Sequence, residues 1–336
     1  MAERAELVAA FLAAAGWEKA VRRRLAGDAS FRRYDRLEAG PFRAVLMDAP
    51  PPQEDVRPFL AIARLLQRLG FSAPGVLAED IAAGLLLLED FGDATYTRLL
   101  AQGAAEEALY ALAVDLLIAL HRGFDPAAAP EVPAYDDQRL LTEAALLVDW
   151  YLPAVAGQPT EPRLRAEYLA LWRALLPVAR AVPTSLVLRD YHVDNLMLIE
   201  GRDGLAACGL LDFQDAVIGP VTYDLVSLLE DARRDVPPGL AAAMRARYLA
   251  GFPDLDRAAF DASYAVLGAQ RNCKIVGIFT RLCVRDGKPV YLAHIPRVWR
   301  LIESDLGHPV LAPVKDWLDR HIPPAMRGVP ARLSAA

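Results

Sequence analysis

SLVLRDYHVDNLMLIEGRDGLAACGLLDFQDAVIGP, residues 185–220, holds two short apolar runs, LMLI and CGLL, joined by Glu200-Gly201-Arg202-Asp203-Gly204. Turn-forming residues between two such runs are the pattern of a β-hairpin. Asn195 stands immediately before the first run and Asp212 immediately after the second. In an antiparallel hairpin those two ends lie side by side. Asp190 lies a few residues upstream, on the incoming loop. Three oxygen-bearing side chains therefore converge at one end of one hairpin.

A carboxylate and an amide oxygen suit Mg²⁺, a hard cation that takes oxygen ligands and keeps water and phosphate oxygens around it. Asn195 and one of the two aspartates would then hold the metal. The remaining carboxylate is free to orient a hydroxyl group and accept its proton. Phosphoryl transfer from ATP asks for this division of labour: positioning, neutralisation of phosphate charge, and one base. A lone aspartate in a turn more often bonds backbone. That structural role fits Asp224, which precedes a helical run; the other three together favour chemistry.

Outward from the hairpin, the chain divides by pattern. VRRRLAGDASFRRYDRL reads as strand, turn at Gly27-Asp28, strand, and FRAVLMDA alternates as a third strand. Pro50-Pro51-Pro52 stops it, and Asp55 to Leu69 carries apolar residues at helical spacing, closed by Gly70. VLAED and GLLLLED are two more strands. Helical patterns then run over 93–121, 137–150 and 162–180 and from Asp256 onward. PAMRGVPARLSAA reads as a loose tail. The fold class is α+β in two lobes: residues 1–88 rich in antiparallel strands, a hinge at 89–92, and a larger helical lobe over 93–336. A ligand cleft between such lobes is the common arrangement.

Composition narrows the function classes. The 336 residues carry a net charge of −6, and basic residues do not cluster with aromatics, which argues against nucleic acid as partner. LVAAFLAAAG near the start is short and apolar, but Glu3 and Glu6 occupy the place of a basic signal region. The segment reads instead as an amphipathic helix with Leu7, Phe11 and Leu12 facing the core. No apolar run spans a bilayer, and Cys208, Cys273 and Cys283 lack metal-ligand spacing and read as free thiols in a reducing cytoplasm. The expectation is a cytoplasmic enzyme with no obligate protein partner and no membrane contact.

Asp190 to Asn195, a hairpin, then Asp212-Phe213 matches the catalytic and metal loops of the protein-kinase-like fold. DFQDAVIGPVTYDL, with Gly219-Pro220 and Tyr223-Asp224-Leu225, resembles the aminoglycoside phosphotransferase and choline kinase family. The resemblance covers nearly the whole chain. It implies Asp190 as catalytic base, Asn195 and Asp212 as Mg²⁺ ligands, and Asp224 as a brace for the catalytic loop. It implies an ATP site at the hinge around Glu89 and Phe91, with Leu87, Leu88 and Leu211 against the adenine, and a phosphate-covering turn that includes Ser30. His121 resembles a structural histidine at a helix end. The family places a lysine on the third strand to hold phosphate; the matching residue here is Met47, and Lys19 comes too early in the chain. Arg32 and Arg33 lie on the preceding strand. Side chains alternate, so one of them faces the cleft; either that arginine takes over the lysine's role, or both are surface charges on the strand. The accompanying helix carboxylate is Glu54 or Asp55.

Several blocks, among them DASFRRYDRL, EDVRPFL and QRNCKIVGIFTRL, resemble the anomeric sugar kinases of peptidoglycan recycling, which act on N-acetylmuramate and N-acetylglucosamine. That resemblance implies an α-1-phosphate product. His192, Asp194, Gln214, Arg271, Asn272 and Lys274 are the substrate-binding candidates, against a reading of QRNCKIVGIFTRL as a helix whose polar residues are solvated. Tyr135, Trp150 and Tyr151 suit either a sugar ring or the core. Two alternatives stay open: a phosphotransferase for an aminoglycoside or another small metabolite, drawing on Asp136, Asp137, Glu143 and Asp149, or a non-catalytic nucleotide-binding module.

Overall fold

The computed structural model describes residues 2–25 and 31–333. Its strands are β1 (Val21–Arg24), β2 (Arg33–Ala39), β3 (Phe42–Asp48), β4 (Val76–Asp80), β5 (Leu85–Glu89), β6 (Thr184–Val187), β7 (Leu196–Leu198), β8 (Cys208–Leu210) and β9 (Val217–Pro220). Its helices are α1 (Ala2–Ala14), α2 (Arg57–Arg68), α3 (Tyr96–Ala101), α4 (Glu106–Gly123), α5 (Asp137–Leu146), α6 (Leu152–Ala156), α7 (Pro162–Ala179), α8 (Thr222–Leu229), α9 (Pro238–Ala250), α10 (Arg257–Val284), α11 (Ile295–Asp305) and α12 (Ala312–His321). Contacts group the chain into two units, Met1–Leu116 with Val193–Ala216, and Leu117–His192 with Val217–Ala336. This grouping differs from the chain-order lobes in joining α3, most of α4 and the β7–β8 hairpin to the N-terminal sheet.

The first unit is built on an antiparallel sheet of order β1-β2-β3-β5-β4. Alternation sends Leu37, Ala44, Leu46, Leu85 and Leu87 to one face, where they meet Val8, Phe11 and Leu12 of α1. Leu7, expected in that core, is exposed. The i, i+3, i+4 stripe begins at Val8, and Leu7 stands about 100° away from it on the helix. Leu87 belongs to the α1 core as well, so it does not join Leu88 on the opposite face as an adenine contact. The segment expected as one helix over 93–121 is two, α3 and α4, parted at Gly103, whose φ of 85° ends the first. β7 and β8 pair antiparallel, Leu196 opposite Leu210. Backbone bonds from Leu210 to Ser72 (2.8 Å) and from Leu198 to Ala94 (2.9 Å) fix the hairpin to this unit.

The second unit is helical around α10, 28 residues long and buried over much of its length. Gly277 of α10 lies against the Leu146 backbone so closely that a Cβ would overlap it. At this crossing the helix of α5 widens into a π-turn, Leu147–Tyr151. β6 and β9 form a two-stranded ribbon, Thr184 opposite Pro220; VIGP had not shown as a strand in the sequence. The C-terminal segment is docked as far as Leu333, contrary to the loose tail expected. The Tyr151 hydroxyl donates to the Met326 carbonyl (2.6 Å) with the Gly328 carbonyl also in reach (2.8 Å), and Val329 and Leu333 pack on the core. Among the described residues no helix is long and apolar enough to cross a membrane.

Candidate active site

Asn195 and Asp212 stand at the open end of the β7–β8 hairpin. The Leu211 amide donates to the Asn195 carbonyl (3.0 Å), which holds the two ends together. Asp212 adopts a left-handed backbone, φ 58°, uncommon outside glycine. Its side chain is one-third exposed, and Oδ1 accepts from Gln214 Nε2 (2.8 Å). The next residue, Phe213, is buried and stacks on Phe59 of α2 at 5.0 Å. Among the described residues no three His, Cys, Asp or Glu side chains group to hold a metal. The amide oxygen of Asn195 and the carboxylate of Asp212 nevertheless fit Mg²⁺, which commonly binds through one or two carboxylates and completes its shell with water and phosphate.

Asp190 belongs to the second unit, on the loop after β6. Two α8 side chains fix that loop. The Asp224 carboxylate accepts from the backbone amides of Leu188 (2.6 Å) and Arg189 (2.9 Å). Ser227 Oγ donates to the Arg189 carbonyl (3.2 Å). Asp224 lies in the first turn of α8 rather than ahead of it. Burial raises its carboxyl to about 7 against the pull of those two amide bonds. Arg189 takes a left-handed backbone, φ 71°. Its guanidinium is anchored on Glu143 of α5, which also accepts from Tyr135 Oη and pairs with Lys274 Nζ of α10 (3.2 Å). Lys274 additionally bonds Tyr223 Oη at 3.3 Å. One turn earlier on α10, Arg271 donates to Ser227 Oγ (2.8 Å). Burial works to raise the Asp190 carboxyl, but Lys274, His192, Arg271 and Arg189 outweigh it and hold the carboxyl below its ordinary value. The arrangement keeps an ionised carboxylate in a fixed loop.

The remaining expected residues separate by unit. Ser30 and the Gly27-Asp28 turn lie outside the described residues. In the first unit Arg32 pairs with Glu54 and approaches Asp212, and Arg33 is exposed. Asp55 bonds its near neighbour Arg57, and Glu54 meets the arginine; contrary to the expectation of a helix carboxylate, both precede α2, which begins at Arg57. The Glu89 side chain accepts from Gly75 N (3.2 Å) and pairs with Arg202, whose guanidinium lies 5.3 Å over the Phe91 ring. Arg36 ties the hinge to β2 through Asp90 (2.9 Å), Asp93 (2.8 Å) and the Gly92 carbonyl (2.8 Å). Asp194 accepts from Thr97 Oγ1.

In the second unit His192 is buried, with Nε2 at 3.4 Å from Arg233. Burial lowers its pKa, partly offset by Asp231. Gln270, Arg271 and Asn272 are buried, so the reading of α10 as carrying solvated polar residues at this point fails. Asn272 Nδ2 donates to Glu230 (2.7 Å) and Asp305 (3.3 Å). Tyr135 and Tyr151 are core residues, and His121 is half-buried with Nδ1 2.7 Å from the Tyr248 hydroxyl. Asp136 caps α5, Asp137 pairs with Arg180 and Asp149 with Arg165. Glu143, Ser227 and Arg36 were not singled out for these roles. Arg36 was legible as the next cation on the Arg32 face of β2; Glu143 sits 46 residues from Arg189 and left no local signal.

Comparison with known proteins bears on family and fold. The pattern of the phosphotransferase enzyme family matches residues 21–260. An N-acetylmuramate/N-acetylglucosamine kinase of Caulobacter vibrioides is 41% identical, over 96% of this chain and 97% of its own. A kinase of the same name from Pseudomonas aeruginosa is 42% identical, over 87% and 86%. Among solved structures, the GDP complex of an aminoglycoside 2'-phosphotransferase superposes with a TM-score of 0.63 at 16% identity, over 92% of this chain and 99% of that one. A choline kinase from Streptococcus pneumoniae gives 0.61 at 11% identity, over 91% and 100%. At those identities the likeness is one of fold, the protein-kinase-like α+β fold.

Proposed function

Because the chain belongs to the phosphotransferase enzyme family, we propose that it transfers the γ-phosphoryl group of ATP to the anomeric hydroxyl of N-acetylmuramate and N-acetylglucosamine. The product is the sugar α-1-phosphate, made in the cytoplasm during peptidoglycan recycling. The observation that carries this reading is the agreement, at 41–42% identity and over most of the chain, with kinases named for those two sugars.

Asp190 is the base. Its low proton affinity suits an anomeric hydroxyl, which is more acidic than an ordinary alcohol and needs little abstraction. The carboxylate accepts the hydroxyl proton, the sugar oxygen bonds to the γ-phosphorus, and the bond from that phosphorus to the β–γ bridging oxygen breaks to release ADP. Asp224 and Ser227 keep the loop from shifting as that proton moves. Mg²⁺, held by Asn195 and Asp212, would neutralise phosphate charge. Glu89 and Phe91 present the hinge to the adenine. His192, Asp194 and Gln214 contact the sugar, while Arg271 and Asn272 support the site from α10. The acidic residues an aminoglycoside would draw on are each engaged with a cation or a helix cap, which favours the amino sugar.

Phosphorus NMR of the protein with ATP, Mg²⁺ and each of N-acetylmuramate, N-acetylglucosamine, an aminoglycoside and choline tests this. The expected result is a sugar 1-phosphate that is lost in Asp190→Ala. Turnover on another acceptor alone would overturn the substrate and keep the base; no turnover at all would overturn both.

A further inference from the structure

Phosphoryl transfer needs a cation on the nucleotide phosphates, and kinases commonly supply it as a lysine on the third strand braced by a helix glutamate. Here the third strand offers Met47, only 1% exposed. The β2–β3 register shows which side chains surround it. Tyr34 pairs with Met47 and Arg36 with Val45. Cross-strand partners share a face, so Tyr34, Arg36, Val45 and Met47 lie opposite the Leu37-Leu46 face that packs under α1. Arg32, two residues before Tyr34, continues that row and stands one diagonal step from Met47, within reach of a long side chain. Arg33 falls on the other face and is exposed.

The surroundings of Arg32 are those of a clamp. Its side chain is 11% exposed; Nε lies 3.4 Å from the Glu54 carboxylate and Nη1 3.9 Å from the Asp212 carboxylate. Glu54 is itself fixed, because its other oxygen accepts from the Phe31 amide (3.1 Å). It lies in the loop three residues before α2, whose Phe59 stacks on Phe213 beside Asp212. The neighbouring cation on the same face, Arg36, is committed to Asp90, Asp93 and the Gly92 carbonyl.

We propose that Arg32 is the phosphate-holding cation of this enzyme and Glu54 its brace, so that the lysine–glutamate pair of kinases is replaced by an arginine from the adjacent strand. The inference rests on the phosphotransfer reading above. An arginine offers phosphate a planar fork of donors where lysine offers a point charge. The exchange therefore changes how the phosphates are gripped as well as where the charge originates. Glu54 aims the guanidinium, and Asp212 on its far side marks where the phosphate oxygens and their metal would lie.

The test is calorimetric titration of the full-length protein with MgADP and, separately, adenosine. The readout is the ratio of the two dissociation constants, which a partly unfolded preparation leaves unchanged. In Arg32→Ala we expect ADP to weaken at least tenfold and adenosine to hold. Arg32→Lys should fall between Arg32→Ala and wild type, and Glu54→Gln should weaken ADP less than Arg32→Ala does. If Arg32→Ala fails to fold, Arg32→Gln is read by the same ratio. An unchanged ratio in the Arg32 variants, or a fall in Arg33→Ala instead, overturns the assignment. Wild-type protein that binds adenosine but gains nothing from the phosphates of ADP or ATP would overturn the phosphotransfer reading and the clamp with it; clear ADP binding that ignores Arg32 would overturn the clamp alone.

Discussion

Replacing Asp305 by Asn should make the protein more stable at pH 8 and leave it nearly unchanged at pH 4. Asp305 of α11 and Glu230 at the end of α8 are both buried, and Asn272 of α10 donates to both. α10 comes this close because residue 268 is glycine; a Cβ there would lie 2.8 Å from the Asp305 carboxylate. Burial first, and Glu230 second, raises the Asp305 carboxyl well above its ordinary value; Glu230 is also raised by burial. The sign follows from proton counting. Between the unfolded and the folded pKa the native state holds a proton that the unfolded chain has released, so stability falls as pH rises through that window. The slope is up to about 1.4 kcal/mol per pH unit for each proton involved. Asn has nearly the same shape, carries no charge and supplies an N–H to the Glu230 carboxylate. The assay is urea unfolding of both proteins at pH 4, 5, 6, 7 and 8, followed by tryptophan fluorescence. The difference between the two curves isolates position 305 from every other titrating group. It should grow upward from about pH 4 and level off above the folded pKa. A difference that stays flat across that range, or that favours the aspartate at pH 8, would refute the reasoning.

Two further perturbations probe the loop and the helix crossing. Lys274→Met removes the foremost of the cations that lower the Asp190 carboxyl. The carboxyl then rises, so the acid limb of kcat/KM against pH should move to higher pH, with more activity lost at pH 6 than at pH 8. An acid limb at the wild-type position would show that Lys274 does not act on Asp190, or that Asp190 does not set that limb. Gly277→Ala places a methyl group against the Leu146 backbone at the π-turn. Overfilling a rigid crossing costs about 1–3 kcal/mol, read as a lower urea midpoint; an unchanged midpoint would mean that the two helices part without strain.

Much of this protein was legible in its sequence because the signals are local. The β7–β8 hairpin announced itself through two apolar runs and a turn, and Asn195 and Asp212 followed from their places at its ends. Five strands and α2 were read from alternation and helical period. Alternation placed Arg32 and Arg33 on opposite faces of their strand without saying which face each takes. The register then separated them, since Arg32 falls on the Met47 face and Arg33 on the other.

What the sequence alone determined, then, is most of the elements and the places of Asp190, Asn195 and Asp212 along them. Periodicity, turn residues and side-chain type are properties of neighbouring residues and survive without a fold. Only the tertiary structure decided which partners those residues meet. Glu143 reaches Arg189 across 46 positions and Lys274 from α10. Asp305 faces Glu230, and Tyr151 captures the C-terminal segment. Those contacts join residues far apart in the chain, brought together by burial of apolar faces. Nothing local marks a buried carboxylate's eventual partner, because the ion pair forms where packing of other residues leaves both groups out of water.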